Sequence, residues 1–253
     1  MSGIFCCCTW IDGGPIDGDR YPEELDRKPF QISMGDALTE APGCCCLSFF
    51  CPFCAQYTVR QKALGGVLDD VSFRGLLPSF MAYIVRASPN IYICLFIHAI
   101  ITSISRIKNI CCLGYYPPCL CFSPGKMGEK DCPALCLIAE VCFCCGCSIS
   151  ATRMYTMDMY NLHSDACDRR IIRFNNCIQC LSCLLIIASI FVPPLRQVAE
   201  NTNRAAEVVY LATQACMVVQ VNHELDHHDG QGERPPIVVA QPQRKGAKQP
   251  LLG

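Results

Sequence analysis

The chain has 253 residues, 51% of them apolar, and a formal net charge of −1 at pH 7. So balanced a charge gives no field to gather polyanions, which sets nucleic acid aside as a partner. Its 24 cysteines would read as a disulfide scaffold in a short secreted chain. Met1 to Trp10, however, lacks a signal-peptide pattern and leads straight into Asp12, Asp17 and Asp19, so the N-terminus is expected to stay cytosolic. The runs Cys6-Cys7-Cys8, Cys44-Cys45-Cys46, Cys111-Cys112 and Cys144-Cys145 also suit disulfides poorly, because consecutive residues rarely all reach partners. The thiols are therefore expected in a reducing compartment, as metal ligands, acylated thiols or small packed hydrophobes.

In chain order, residues 1–43 form an acidic segment that Pro15, Pro22, Pro29 and Pro42 keep from long helices, and it is expected to be exposed and irregular. A mainly α, cysteine-rich, membrane-associated domain is predicted over 44–195, with apolar stretches near 75–105, 133–151 and 177–195. The first is split by Arg86 and Pro89-Asn90; the second carries Glu140; the third is entered past Arg169, Arg170 and Arg173 and stopped by Pro193-Pro194. If 75–105 and 133–151 lie in a bilayer, His98 and Glu140 are costly there unless they face a partner, a cavity or water. Packed core helices of a soluble domain remain the alternative. Over 196–222 the spacing of Val198, Ala205, Val208, Ala212, Ala215 and Val219 predicts an amphipathic helix. Residues 223–253 are too polar to offset their ordering entropy and are expected to be a disordered tail.

No glycine-rich phosphate loop, nucleophile elbow or two-histidine metalloprotease helix is present, so the chain is expected not to be an enzyme. His223, His227 and His228 read as a solvated cluster beside the tail. The pair Cys51-Pro52-Phe53-Cys54 allows two thiolates to converge on a tetrahedral ion, and Cys177, Cys180 and Cys183 share a helix face at intervals of three. Together they make a candidate zinc site if the two segments meet; small residues that let helices approach closely give the same pattern. A thiol oxidoreductase using Cys51 and Cys54 lacks the strand-helix context such chemistry needs. Cys6, Cys7 and Cys8, beside Ile4 and Phe5, are candidates for palmitoylation that would strengthen membrane attachment.

The cysteine-rich opening that ends in Cys51-Pro52-Phe53-Cys54, followed by Arg153, Tyr160-Asn161-Leu162, Cys167-Asp168 and then Cys177, Cys180 and Cys183, resembles the placenta-specific 8 family, which includes cornifelin and the plant cadmium-resistance and fruit-weight proteins. Phe53 is inserted where that family usually has Cys-Pro-Cys, and its closing Gln-Glu-x-Arg-Glu-Leu is missing. The resemblance implies a small, self-associating membrane protein, linked in some relatives to metal tolerance, cell size or calcium influx, and no shared catalytic set; the tails are expected to be cytosolic. Two functions are thus expected: a homo-oligomeric membrane component affecting metal-ion transport or tolerance, or a zinc-thiolate scaffold anchored to membrane lipid by acylated cysteines, its tails recruiting other proteins.

Overall fold

A computed structural model describes residues 27–65, 111–115 and 133–232. The stretch expected at 75–105 with His98, the thiols of Cys6, Cys7 and Cys8, and the tail beyond 232 lie outside the described residues. The described fold is mostly helical: α1 (Ala37–Glu40), α2 (Pro42–Phe50), α3 (Pro52–Ala63), α4 (Pro133–Phe143), α5 (Cys145–Tyr160), α6 (Ala166–Phe191) and α7 (Arg196–Gln231). Prolines open α2 and α3 at the first turn, where the missing N–H costs nothing. Asn161 closes α5 in the left-handed conformation (φ 55°), and Gly232 closes α7 likewise (φ 70°). Pro193-Pro194 ends α6 in a short 3₁₀ turn, and α7 then doubles back along it.

The register of this hairpin is fixed by polar bonds across its seam. Asp168 pairs with Gln220, Gln179 Nε2 donates to the Ala206 carbonyl at 2.7 Å, and Ser182 donates to Asn203 at 3.1 Å. Residue numbers rise on α6 as they fall on α7, so the two helices are antiparallel. The C-terminal half of α7 is the axis of the body, touching α1, α2, α3, α5 and α6. There Met217, Val218, Val221 and Leu225 join Met34, Ala55, Val59, Ala63, Ile149 and Ile172 in the main apolar core. The amphipathic stripe expected over 196–222 changes character along the helix. Ala215 and Val219 are buried, whereas Val198, Ala205 and Val208 are exposed, and the seam with α6 is formed one residue round by Ala199 and Ala206. The helix also continues through Gln231, so His223, His227 and His228 are helical residues and not the start of a tail. His228 stacks on Tyr160 with ring centroids 3.8 Å apart and bonds Glu224, which gives that turn packing the sequence reading did not foresee.

The acidic N-terminal segment departs most from expectation. Lys28–Pro29 (β1) pairs in parallel with Leu162–His163 (β2), and the irregular chain that follows buries Phe30, Ile32 and Met34 in alternation. Buried backbone needs partners, and side chains supply them here. Gln31 N–H donates to Glu224 at 2.9 Å, the Ile32 carbonyl accepts from Gln220 at 2.9 Å, and Met34 N–H donates to Asp168 at 2.8 Å. Arg153 completes the layer, bonding Gln220 and Asp168 and lying 5.0 Å from the centre of the Phe30 ring. Polar side chains of α5, α6 and α7 thus do for residues 30–34 what a neighbouring strand would do, and the segment is part of the body.

One described helix, α6, is long and apolar enough to cross a membrane. It begins well before the expected 177–195 stretch, and 17% of its most apolar window is buried. The stretch expected at 133–151 is not one continuous helix. It breaks at Cys144, and the two pieces meet at 115°.

Candidate metal centre

Glu140 stands at the middle of that bent pair, and its surroundings are protein. Its side chain and that of Arg60, reached from α3, are both fully buried and joined as an ion pair; its second oxygen accepts the Cys112 N–H at 2.8 Å. Glu140, expected to be costly in a bilayer unless it faces a partner, a cavity or water, has such a partner in Arg60, which lies 80 positions away in sequence and leaves no local trace. An isolated buried carboxylate would be prohibitively costly, and the guanidinium removes that cost.

Cys111 and Cys112 meet Glu140 through a strained turn. Cys112 (φ 48°) and Leu113 (φ 51°) both adopt the left-handed conformation, which costs a non-glycine residue about 1–2 kcal/mol. The turn aims the Cys112 N–H at the carboxylate and brings both sulfurs to it. One ligand atom from each of Cys111, Cys112 and Glu140 lies within 4.8 Å of the others, and all three residues are buried. Among the described residues this is the one such group that can hold a metal ion. Cys136, one helical turn before Glu140 on α4, and Cys147 on α5 pack against the two cysteines and offer a third sulfur as fourth ligand.

The charges suit a divalent cation. Two thiolates, one carboxylate and the Arg60 guanidinium sum to −2, which an M²⁺ ion cancels, and a third thiolate as fourth ligand leaves the occupied site at −1. Arg60 also keeps its Nε and Nη1 buried without a hydrogen-bond partner, and thiolate sulfurs formed on metal binding would accept from them. In the metal-free arrangement a hydrogen bond to Cys111, reinforced by burial, pushes the Cys112 thiol well above its ordinary value. Soft sulfur with one oxygen suits zinc or cadmium, with sulfur about 2.3 Å from zinc.

The cysteines singled out from sequence are distributed otherwise. Cys51 is buried as the residue preceding α3, and Cys54 lies one turn into that helix, half-buried. Cys177 and Cys180 are exposed on α6 and Cys183 is half-buried there, so the two sets do not converge on one ion among the described residues. The helical spacing of three was legible; which face of α6 it occupied was not, because α7 takes the opposite one. Cys111 and Cys112 were visible as a run, but nothing local tied them to Glu140. Two residues that carried the family resemblance, Arg153 and Asp168, form the buried 3.1 Å ion pair of the body. Compared with known proteins, the chain matches no family model, no curated protein and no solved structure.

Proposed function

We propose that the chain is a non-enzymatic, membrane-attached thiolate protein that holds a soft divalent ion, zinc or cadmium, at Cys111, Cys112 and Glu140, with Cys136 or Cys147 as the fourth ligand. The observation that carries the reading is the mutual 4.8 Å approach of three buried ligand atoms beside a guanidinium that leaves their sum at −2. Backbone strain at Cys112 and Leu113 supports it, since two adjacent residues held left-handed need a reason that packing of a small loop does not supply. The metal-tolerance link implied by the placenta-specific 8 resemblance points the same way. Holding an ion is favoured over conducting one, because Glu140 is closed off by Arg60 instead of facing an open path.

Membrane attachment rests on the far half of the α6–α7 hairpin. Leu181, Leu184, Ile187, Ile190 and Phe191 are exposed along α6, while small and polar residues (Gln179, Ser182, Ala199, Asn203, Ala206) form its seam with α7. That is the inside-out pattern of a helix pair in lipid. Arg196, Glu200, Arg204 and Glu207 are exposed on the adjoining stretch of α7. A hairpin carrying them through the hydrocarbon would be costly, so α6 lies in the interface with its apolar face down and α7 toward water.

The test is metal content of the purified full chain. The reading predicts zinc retained through gel filtration, lost in the Cys111→Ser/Cys112→Ser chain, and a lowered melting temperature on chelation. A chain that retains no metal and melts identically with and without chelator would contradict it.

A further inference from the structure

The thiols on α6 stand apart from both the apolar core and the metal centre. Cys177 and Cys180 are exposed there, Cys183 is half-buried, and none belongs to a group of three converging ligand atoms among the described residues. At helical spacing, Cys177 and Cys180 continue at intervals of three and four into Leu184, Ile187 and Phe191, so the five side chains lie along one stripe. Gln179 and Ser182, which seat α6 on α7, lie on the other side of the helix. All five residues of the stripe are exposed.

The polarity of α6 changes along its length. Arg170 is exposed and Arg173 half-buried in its early turns, whereas Leu184, Ile187, Ile190 and Phe191 are exposed toward its end. Cys177 and Cys180 fall between the two, so these thiols emerge where a basic turn suited to headgroups gives way to a surface suited to acyl chains. Long-chain thioesters partition into the same layer of a bilayer. From Cys180 to Phe191 the stripe runs about 16 Å at a rise of about 1.5 Å per residue, so a chain attached to either sulfur can lie along Leu184, Ile187 and Phe191. Cys45, Cys51 and Cys111 are buried and offer no such access.

We infer that Cys177 and Cys180 are S-acylation sites, each taking a long-chain acyl group from an acyl-coenzyme A thioester. The cysteine sulfur attacks the thioester carbonyl carbon. A new S–C bond forms as the bond to the coenzyme sulfur breaks, and the coenzyme leaves as a thiol with the proton that the cysteine gives up, with no change of oxidation state. The inference rests on the interfacial attachment of α6 proposed above and not on the metal centre. A single acyl chain binds a bilayer reversibly, whereas two chains beside an apolar helix face hold it stably.

Acyl exchange on the full chain, expressed in eukaryotic cells that S-acylate their proteins, tests this. Free thiols are blocked, thioesters are cleaved with hydroxylamine, and the sulfurs so released are tagged and mapped by peptide mass. Tags at Cys177 and Cys180 that depend on hydroxylamine are expected, and Leu184→Asn/Ile187→Asn/Ile190→Asn should lower them about fivefold or more by taking the stripe off the membrane. No hydroxylamine-dependent tag at either sulfur, or tagging as strong in the substituted chain, would overturn the inference. Flotation of the unacylated parent chain with phosphatidylcholine vesicles reads the attachment by itself. A chain that floats but is not tagged at these sulfurs keeps the attachment and loses the acylation, and a chain that neither floats nor is tagged loses both.

Discussion

The body and the projecting hairpin bury opposite kinds of residue. In the body, Arg60, Glu140, Arg153, Asp168, Gln220 and Glu224 are all nearly or fully hidden. On the outer half of α6, Leu184, Ile187, Ile190 and Phe191 are exposed, the last at 79%. Each pattern is costly taken alone, and each is accounted for by a different partner. The buried charges have one another and the backbone of residues 30–34; the exposed apolar face has none within the described chain. The contrast teaches that burial here follows hydrogen-bonding partners more than hydropathy, and that the apolar surface left over is the part no described residue covers.

The sharpest break in the body's half of that comparison is Asp168→Ala. It strips partners from Arg153, Gln220 and the Met34 N–H together, and a buried charge left unpaired costs about 3–5 kcal/mol. The midpoint of urea unfolding should fall accordingly, with residues 28–34 becoming the first to exchange amide protons. Glu140→Gln keeps an amide oxygen that can accept from Arg60 or from Cys112 N–H but leaves the buried guanidinium without a counter-charge, so a loss of about 3–5 kcal/mol is expected here too. It also removes one negative charge from the metal group, so cadmium affinity at Cys111 and Cys112 should drop at least tenfold.

The smallest effect concerns pH. Burial holds the thiols of Cys44 and Cys216 up to about 11 against an ordinary 9.0. Both are neutral in the fold at pH values where the unfolded chain has begun to ionise. Their contribution is therefore fully present below pH 9.0 and is lost as pH rises through about 11. Unfolding midpoints measured on either side of pH 9.0 should show this fall, and Cys44→Ala with Cys216→Ala should flatten it.

Much of the hairpin was legible in the sequence and little of the metal centre was. Pro193-Pro194 marked the turn, the run from Leu184 to Val192 marked the apolar end, and the length of α7 followed from its periodicity up to the point where packing replaced pattern. The body resisted because its organising contacts are long-range and polar. Phe30, Ile32 and Met34 alternate as a strand does, yet their hydrogen-bond partners are side chains on α6 and α7, which no propensity encodes. Gln220 and Glu224 look like breaks in an apolar stripe and are instead the residues that tie α7 to that segment. Glu140 looked stranded among cysteines because Arg60 is remote in sequence, and Cys51 and Cys54 were matched with Cys177 and Cys180 because spacing fixes a helix face without saying what covers it.

Flotation with neutral phosphatidylcholine vesicles tests the contrast between body and hairpin most directly, using chain produced without acylation so that Cys6, Cys7 and Cys8 carry no lipid. The parent chain should float with the vesicles. Replacing Leu184, Ile187 and Ile190 by Asn removes apolar area worth about 1 kcal/mol or more per half-buried side chain, so the bound fraction should fall on the order of a hundredfold while the unfolding midpoint of the body stays the same. A parent chain that remains at the bottom of the gradient, or a substituted chain that floats equally well, would contradict the account.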